Sequence, residues 1–400
     1  MYDLIIIGGG AAGVFSAIAF KEKKPRSKVL ILEKSSSLLT KLSLTGGGRC
    51  NLTNACFEPR KLVLNYPRGS KELLGPLYSF SPRETINWFE SKGVALKVED
   101  NGKVFPVSDK SQTIINCFLT EIKKLEIEIF FDFVLKDILK NNNFFEIDHN
   151  GRKIFTKNLI LATGNNLQGY DLAKQFGHTI QKPIPSLFTF NSKTSYLKDL
   201  SGVTHNPVEV KIKDTAFSQS GSILITHFGF SGPVILSLSS FAAKYLNEKN
   251  YEAKISINWL SGISQDEIFK RLFELKNNCP NNFLYLSNIF NLPRNLWGAL
   301  LDSASQNLRK KMNDISKSDL INLTKKLTGD VFAIDEKGVN KNEFVTCGGV
   351  TLSEVNFKTM QSKICSNLYF AGEILDVDGI TGGYNLQNAW TTAFIAANSI

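Results

Sequence analysis

The residues able to do chemistry in this sequence gather in three glycine-rich stretches. The first, Gly8-Gly9-Gly10-Ala11-Ala12-Gly13, fits the pattern GxGxxG. In the second, Thr45-Gly46-Gly47-Gly48-Arg49-Cys50-Asn51, glycines stand against a cation, a thiol and an amide. The third runs from Gly372-Glu373 through Asp376 to Gly383-Tyr384-Asn385-Leu386. Backbone N–H groups left uncovered by side chains can cradle anions, phosphate oxygens above all. Arg49 can bring positive charge to a phosphate or a substrate carboxylate, and Asn51 can hydrogen-bond the edge of a planar ligand.

Each stretch needs an element to hold it. Leu4–Ile7 is a short apolar run, as expected for a parallel strand buried on both faces, and it leads straight into the GxGxxG turn. A helix is predicted over 11–21, and a second apolar run, Val29–Leu32, ends on Glu33. In such a unit the first glycine makes the turn, the second admits a pyrophosphate and the third packs helix on strand. The helix N-terminus faces the phosphates, and Glu33 accepts from ribose hydroxyls, which favours FAD or NAD over NADP. The third stretch has the same logic: a strand over 367–370 ends in Gly-Glu, and a helix begins near Asn385. NAD needs only the first grip. The longer FAD needs a second, and the helix start near Asn385 can hold negative charge developing on a reduced flavin.

GGGAAG with Glu33, KLSLTGGGRCNLTN (41–54), VFPVSDKS (104–111), THFGFSGP (226–233), TCGGVTLSEV (346–355) and LYFAGEILDVDGITGGYNLQNAW (368–390) follow in one order. Together they closely resemble a bacterial family of NAD(P)/FAD-dependent oxidoreductases that includes aminoacetone oxidase-like enzymes and 3-dehydro-bile-acid reductases. The resemblance implies an α/β fold: a Rossmann-like FAD-binding domain of the glutathione-reductase-like type, with an inserted antiparallel β domain and a small helical subdomain. The expected boundaries are 1–188 plus 346–400, 189–261 plus 331–345, and 262–330. It also implies cofactor contacts at Lys41, Val134, Thr163, Gly164, Gly372, Glu373 and Asp376, beside those of the three glycine stretches. After Gly164 the family usually continues with a longer glycine-containing loop. Here Asn165-Asn166-Leu167-Gln168 leads directly into a helix expected over 169–176.

Between the grips, helices are expected over 81–91 and 111–125, and a hairpin around Glu99-Asp100-Asn101-Gly102. Strands over 144–147 and 152–155 are expected to pair around Asn150-Gly151. Alternation marks an antiparallel insert from about 183 to 257. Helices over 264–327 begin with a capping box at Ser264 and Glu267, and strand is expected to return over 331–350. Ser231-Gly232-Pro233 reads as a helix start with Ser231 as the cap, and Gly177 as a helix end that leaves His178 at the surface or behind the site.

Catalytic candidates are His227, as proton donor or base, Cys50, as a redox thiol, and Arg49. Cys50 has no partner at CxxC spacing, although Cys56 lies six positions on. The 400 residues include 6 Cys and 4 His without metal-ligand spacing, so no metal is expected. Lys and Arg exceed Asp and Glu by 47 to 37, a net +10, but the cations are dispersed. Nucleic acid is therefore not an expected partner, nor is a membrane, and a cytoplasmic setting is expected. The function expected is flavin-mediated hydride transfer to or from a small organic substrate, with NAD(P)H as reductant. The alternatives are an amine oxidase producing peroxide, and an RNA-binding or non-enzymatic flavin protein.

Overall fold

A computed structural model describes residues 1–134, 138–149, 151–338 and 345–400. The chain forms two compact units, 1–185 with 345–400, and 186–344.

The first unit is built on β1 (Tyr2–Ile7), α1 (Ala11–Lys23), β2 (Val29–Leu32), β3 (Glu128–Phe130), β4 (Arg152–Leu161), α2 (Leu167–Gln175), β5 (Leu368–Phe370) and α3 (Tyr384–Ser399). Its central strands run parallel in the order β5-β4-β1-β2-β3. Every residue of β2 and Leu4–Ile7 of β1 are buried, which explains their continuous apolar runs. The last strand thus lies beside β4, and both ends of the chain build one sheet. Strands Ile138–Asn141 and Phe144–His149 extend from β4 as an antiparallel pair. Asn150, expected at their turn, lies outside the described residues.

Around α1 and α3, Phe15, Phe80, Phe89, Trp88, Phe118 and Trp390 form a continuous aromatic cluster. It fixes helix Pro82–Ser91, which opens with a full Ser81/Glu84 capping box, and helix Ser111–Lys124 against the nucleotide-binding helix.

In the second unit, a seven-stranded sheet packs over helices Pro233–Phe241, Gln265–Asn278, Arg294–Ala304 and Lys317–Gly329. Sheet and helices share one core that includes Val210, Ile257, Trp259, Trp297, Leu300 and Leu323. Two local expectations change. Ser264 accepts from the Glu267 N–H (3.2 Å), but Glu267 turns to Arg271 (2.7 Å), so only half of that capping box forms. Ser231 closes strand Gly229–Ser231, and Gly232 takes the cap with φ +93. Pro233 cannot continue the strand, which hands the cap to the residue before it. Residues 339–344, part of the expected returning strand, lie outside the described residues.

Candidate functional site

The carboxyl ends of β1, β4 and β5 bring three turns of the first unit together. At the β1–α1 turn, Gly8 takes φ +107, and a Cβ there would lie 2.6 Å from the Ala162 carbonyl oxygen at the end of β4. Glu33, at the end of β2, is buried and accepts from the Gly9 N–H through Oε2 (2.6 Å). Its Oε1 accepts from the Ser35 N–H (2.8 Å) and the Ser35 hydroxyl (2.5 Å). The carboxylate therefore sets the shape of the turn it was expected to serve. Gly372, past the end of β5, packs against α1: a Cβ on it would lie 2.8 Å from Ala12 Cβ.

Two helices begin here without caps. Neither α1 nor α3 has a side chain capping its first turn or an acidic residue within it, and the space where Gly10 would carry a Cβ is open. Their first N–H groups and dipoles are thus left for an anion. The start of α3 is shaped from outside. The Asn51 amide nitrogen donates to the Thr53 carbonyl (3.1 Å) and its oxygen accepts from the Gly383 N–H (3.0 Å). Asn385 brackets Gly379, accepting from its N–H (2.9 Å) and donating to its carbonyl (2.8 Å). Buried Gln387 accepts from Thr53 Oγ1 (2.6 Å) and Thr85 Oγ1 (2.9 Å), tying α3 to the second glycine stretch. Leu386 is half-buried between these residues in sequence.

A polar group faces Gly164, which has φ +60. Lys41 Nζ donates to Asn165 Oδ1 (2.5 Å) and lies 3.4 Å from Glu373 Oε2. Asn165 Nδ2 donates to Thr346 Oγ1 (2.8 Å), and Asp376 Oδ1 accepts from the Gly348 N–H (2.8 Å). Burial pushes the Glu373 carboxyl above its ordinary range, against the opposing pull of Lys41. Among the described residues, the buried Thr163 and Tyr170 hydroxyls have no hydrogen-bond partner. Burial first, then the Glu373 and Asp376 carboxyls, push the Tyr170 hydroxyl up. Orphaned hydroxyls, a lysine and two uncapped helix starts fit a long anionic dinucleotide with polar groups along its length.

The loop 45–51 is left-handed at Gly46 (φ +59), Gly47 (φ +67), Gly48 (φ +84) and Cys50 (φ +62). A Cβ on Gly47 would meet nothing, so the loop presents bare backbone. The Arg49 guanidinium donates to Glu99 (2.7 Å), lies 3.4 Å from Asp109 and stacks 3.9 Å over the Phe105 ring. That commits it to anchoring the loop on a three-stranded antiparallel sheet of Thr53–Asn54, Lys103–Pro106 and Leu96–Val98 rather than leaving a free cation. Cys50 is fully buried and its thiol is pushed up to about 12 by burial, a setting for an inert thiol. Val134 is exposed, just past the Glu33–Phe133 backbone hydrogen bond. His227 belongs to the second unit, exposed at the turn between strands Ser218–Thr226 and Gly229–Ser231.

His178 is buried rather than at the surface, with Nδ1 3.1 Å from Glu354 Oε2 and Nε2 2.7 Å from Ser362 Oγ. Asn165, Thr346, Tyr170 and Gln387 are the site residues that the motif reading passed over.

A parallel sheet of this order, with anion cradles outside the carboxyl ends of its strands, is the architecture of Rossmann flavoproteins. This protein is a FAD-dependent oxidoreductase of that class. The chain belongs to the HI0933-like protein Rossmann domain family, whose profile matches residues 2–399. It is 28% identical over 406 residues to a 3-dehydro-bile acid delta(4,6)-reductase of Clostridium scindens, with 98% of each chain covered. It is 29% identical over 413 residues to a ribosomal RNA dihydrouridine synthase of Escherichia coli, covering 100% of this chain and 98% of the relative. In fold it resembles a 3-ketosteroid-delta4-(5alpha)-dehydrogenase of Rhodococcus jostii (TM-score 0.53, 13% identity, 99% and 96% of the chains covered). No helix among the described residues is long and apolar enough to cross a membrane.

Proposed function

We propose that this protein is a reductase that adds hydrogen across a carbon–carbon double bond conjugated to a carbonyl, with NAD(P)H as the source of electrons. The observation that carries the reading is the pair of uncapped helix N-termini, α1 and α3, which supply N–H donors for both ends of one extended flavin nucleotide. The acceptor class is supported by chemistry common to the two relatives: a 3-oxo steroid unsaturated at its Δ4 position and a uracil ring both carry such a double bond. When bound and reduced by NAD(P)H, FAD would supply the hydride for the carbon β to the carbonyl, with a proton going to the α carbon.

This chain's residues bind and orient. The N–H groups at Gly10, Ala11 and Ala12 and the Lys41 ammonium hold the diphosphate, with Gly13 keeping α1 close beneath it. Glu33 holds the adenosine ribose, and Val134 borders the adenine. Thr163, Gly164, Glu373 and Asp376 line the middle of the cofactor. Gly47, Gly48 and Asn51 close over it; Gly383, held by Asn51, sets the start of α3, whose Asn385 and Leu386 N–H groups stabilise negative charge at its redox end.

A second, narrower reading is supported by the likeness over the whole chain to the ribosomal RNA dihydrouridine synthase: an acceptor that is a uridine within RNA. The test supplies the flavin-loaded protein anaerobically with NADH or NADPH and either a 3-oxo-Δ4,6 steroid or uridine-containing RNA, and reads the product by mass. A gain of two hydrogens by either acceptor supports the reductase. Neither acceptor changed, together with peroxide formed when an amine is supplied to the same protein in air, overturns it in favour of an oxidase.

A further inference from the structure

At the opposite end of the first unit's sheet, at the amino ends of β1, β2 and β4, lies a surface cavity of about 560 Å³. It is lined by Asp3, Lys24, Arg26, Ser27, Lys157 and Asn158, among others. The loop joining α1 to β2, Lys24-Pro25-Arg26-Ser27-Lys28, forms one wall and is held rigid from beneath. The buried Lys21 ammonium donates to the Pro25 (2.9 Å) and Ser27 (3.0 Å) carbonyls. Asp3 accepts from the Lys28 N–H (2.8 Å), and the Asn158 amide donates to the Asp3 carbonyl (3.0 Å).

The cations here divide into two sets. Lys21, Lys23 and Lys24 are spent on backbone carbonyls, the last two on Asn398 and Ile400 at the end of α3. Lysines at a helix C-terminus commonly serve that purpose. Arg26, Lys157 and the Lys28 ammonium are exposed and have no hydrogen-bond or ion-pair partner among the described residues. The one carboxylate in the wall, Asp3, already serves the Lys28 backbone. Two unpaired cations of the wall, Arg26 and Lys157, with Lys24 beside them and Lys28 just outside the lining, make the concavity a positively charged receptor for phosphate oxygens. Its one large aromatic, Phe20, is buried, which leaves only Pro25 and Ile400 as accessible apolar residues of the wall, little to insert into a lipid bilayer.

We infer that this pocket docks the sugar–phosphate backbone of RNA, away from the end of the sheet that holds the cofactor; the inference rests on the reading of RNA as the acceptor. An RNA long enough to present a uridine to the flavin would be anchored here by contacts independent of base identity.

The test uses flavin-loaded full-length protein and a fluorescent single-stranded RNA of mixed sequence, with affinity measured across a salt series. Arg26→Ala with Lys157→Ala is compared with Lys61→Ala and Lys174→Ala, which removes the same charge from ion-paired surface sites. The pocket pair should bind RNA about tenfold more weakly near ~0.1 M salt, with the log–log salt slope shallower by about 1.4. The control pair should behave as wild type, and all forms should keep their flavin. Wild-type protein that binds no RNA overturns both the pocket and the RNA reading. RNA binding that the pocket pair retains, or that the control pair loses equally, overturns the pocket alone. Binding to phosphatidylglycerol vesicles that the pocket pair abolishes, with RNA binding unchanged, assigns the pocket to a membrane instead.

Discussion

Gly13 packs so closely under Gly8 that a Cβ on Gly13 would lie 1.9 Å from the Gly8 carbonyl oxygen. The first turn of α1 and the end of β1 are thus in backbone contact, and this contact aims the open N–H groups of α1 at the carboxyl ends of the strands.

Gly13→Ala must push α1 away from β1, at a cost of about 1–3 kcal/mol in stability. The variant should purify with little or no FAD and melt several degrees below wild type. A Gly13→Ala protein with full flavin content and an unchanged melting temperature contradicts this account of the turn.

The third glycine stretch is held by a pair that the motif reading did not name. Asp378 is fully buried, and its carboxylate accepts from Arg68 Nε and Nη2 in a forked arrangement. Asp378→Asn removes the charge of one partner from this buried pair, and loss of one partner of a buried pair costs about 3–5 kcal/mol. Chemical denaturation should show a loss of that size. Arg68→Lys should rescue little, since an ammonium cannot reproduce the fork.

Glu373 gives a pH dependence of defined sign. Its carboxyl lies above its ordinary value of 4.5 in the folded protein, so the folded state holds this proton more tightly than the unfolded chain. The stability it contributes is full below 4.5 and is lost as pH climbs through the raised folded value. Glu373→Gln cannot ionise and should escape the loss. Urea melts of cofactor-stripped protein should therefore show the variant gaining on wild type from about pH 4 to about pH 8. A difference that is flat across this range, or that runs the other way, contradicts the prediction.

Cys50 is buried, and its thiol is held at about 12 by that burial. Native protein treated with iodoacetamide near pH 8 should be alkylated at Cys50 only after unfolding, and Cys50→Ala should keep flavin-dependent turnover. Rapid native alkylation at Cys50 with loss of turnover would restore the dithiol idea.

The strand–turn–helix at the N-terminus was legible because a buried parallel strand, a glycine turn and an acidic strand end each leave a local mark, and Leu4–Glu33 carries all three. The last motif was legible for the same reason. Roles that depend on contacts between distant segments were not. Nothing local in Arg49 announces that Glu99, fifty positions on, takes its guanidinium. The one-residue difference between Ser231 and Gly232 as a helix cap turned on a left-handed φ, a tertiary outcome of the tight packing of Gly232 against Ser222 and Leu224. His178 looked like a residue past a helix end, and its burial comes from Glu354 and Ser362, which belong to the returning C-terminal segment.

The central claim is most directly tested by the visible spectrum of the purified, flavin-loaded protein under anaerobic conditions, first with NAD(P)H and then with a conjugated double-bond acceptor. The account predicts about one FAD per chain, bleaching of the flavin band by the nicotinamide, and return of the band when the acceptor is added. A protein that cannot be loaded with FAD, or whose bleached flavin is reoxidised only by oxygen, contradicts it.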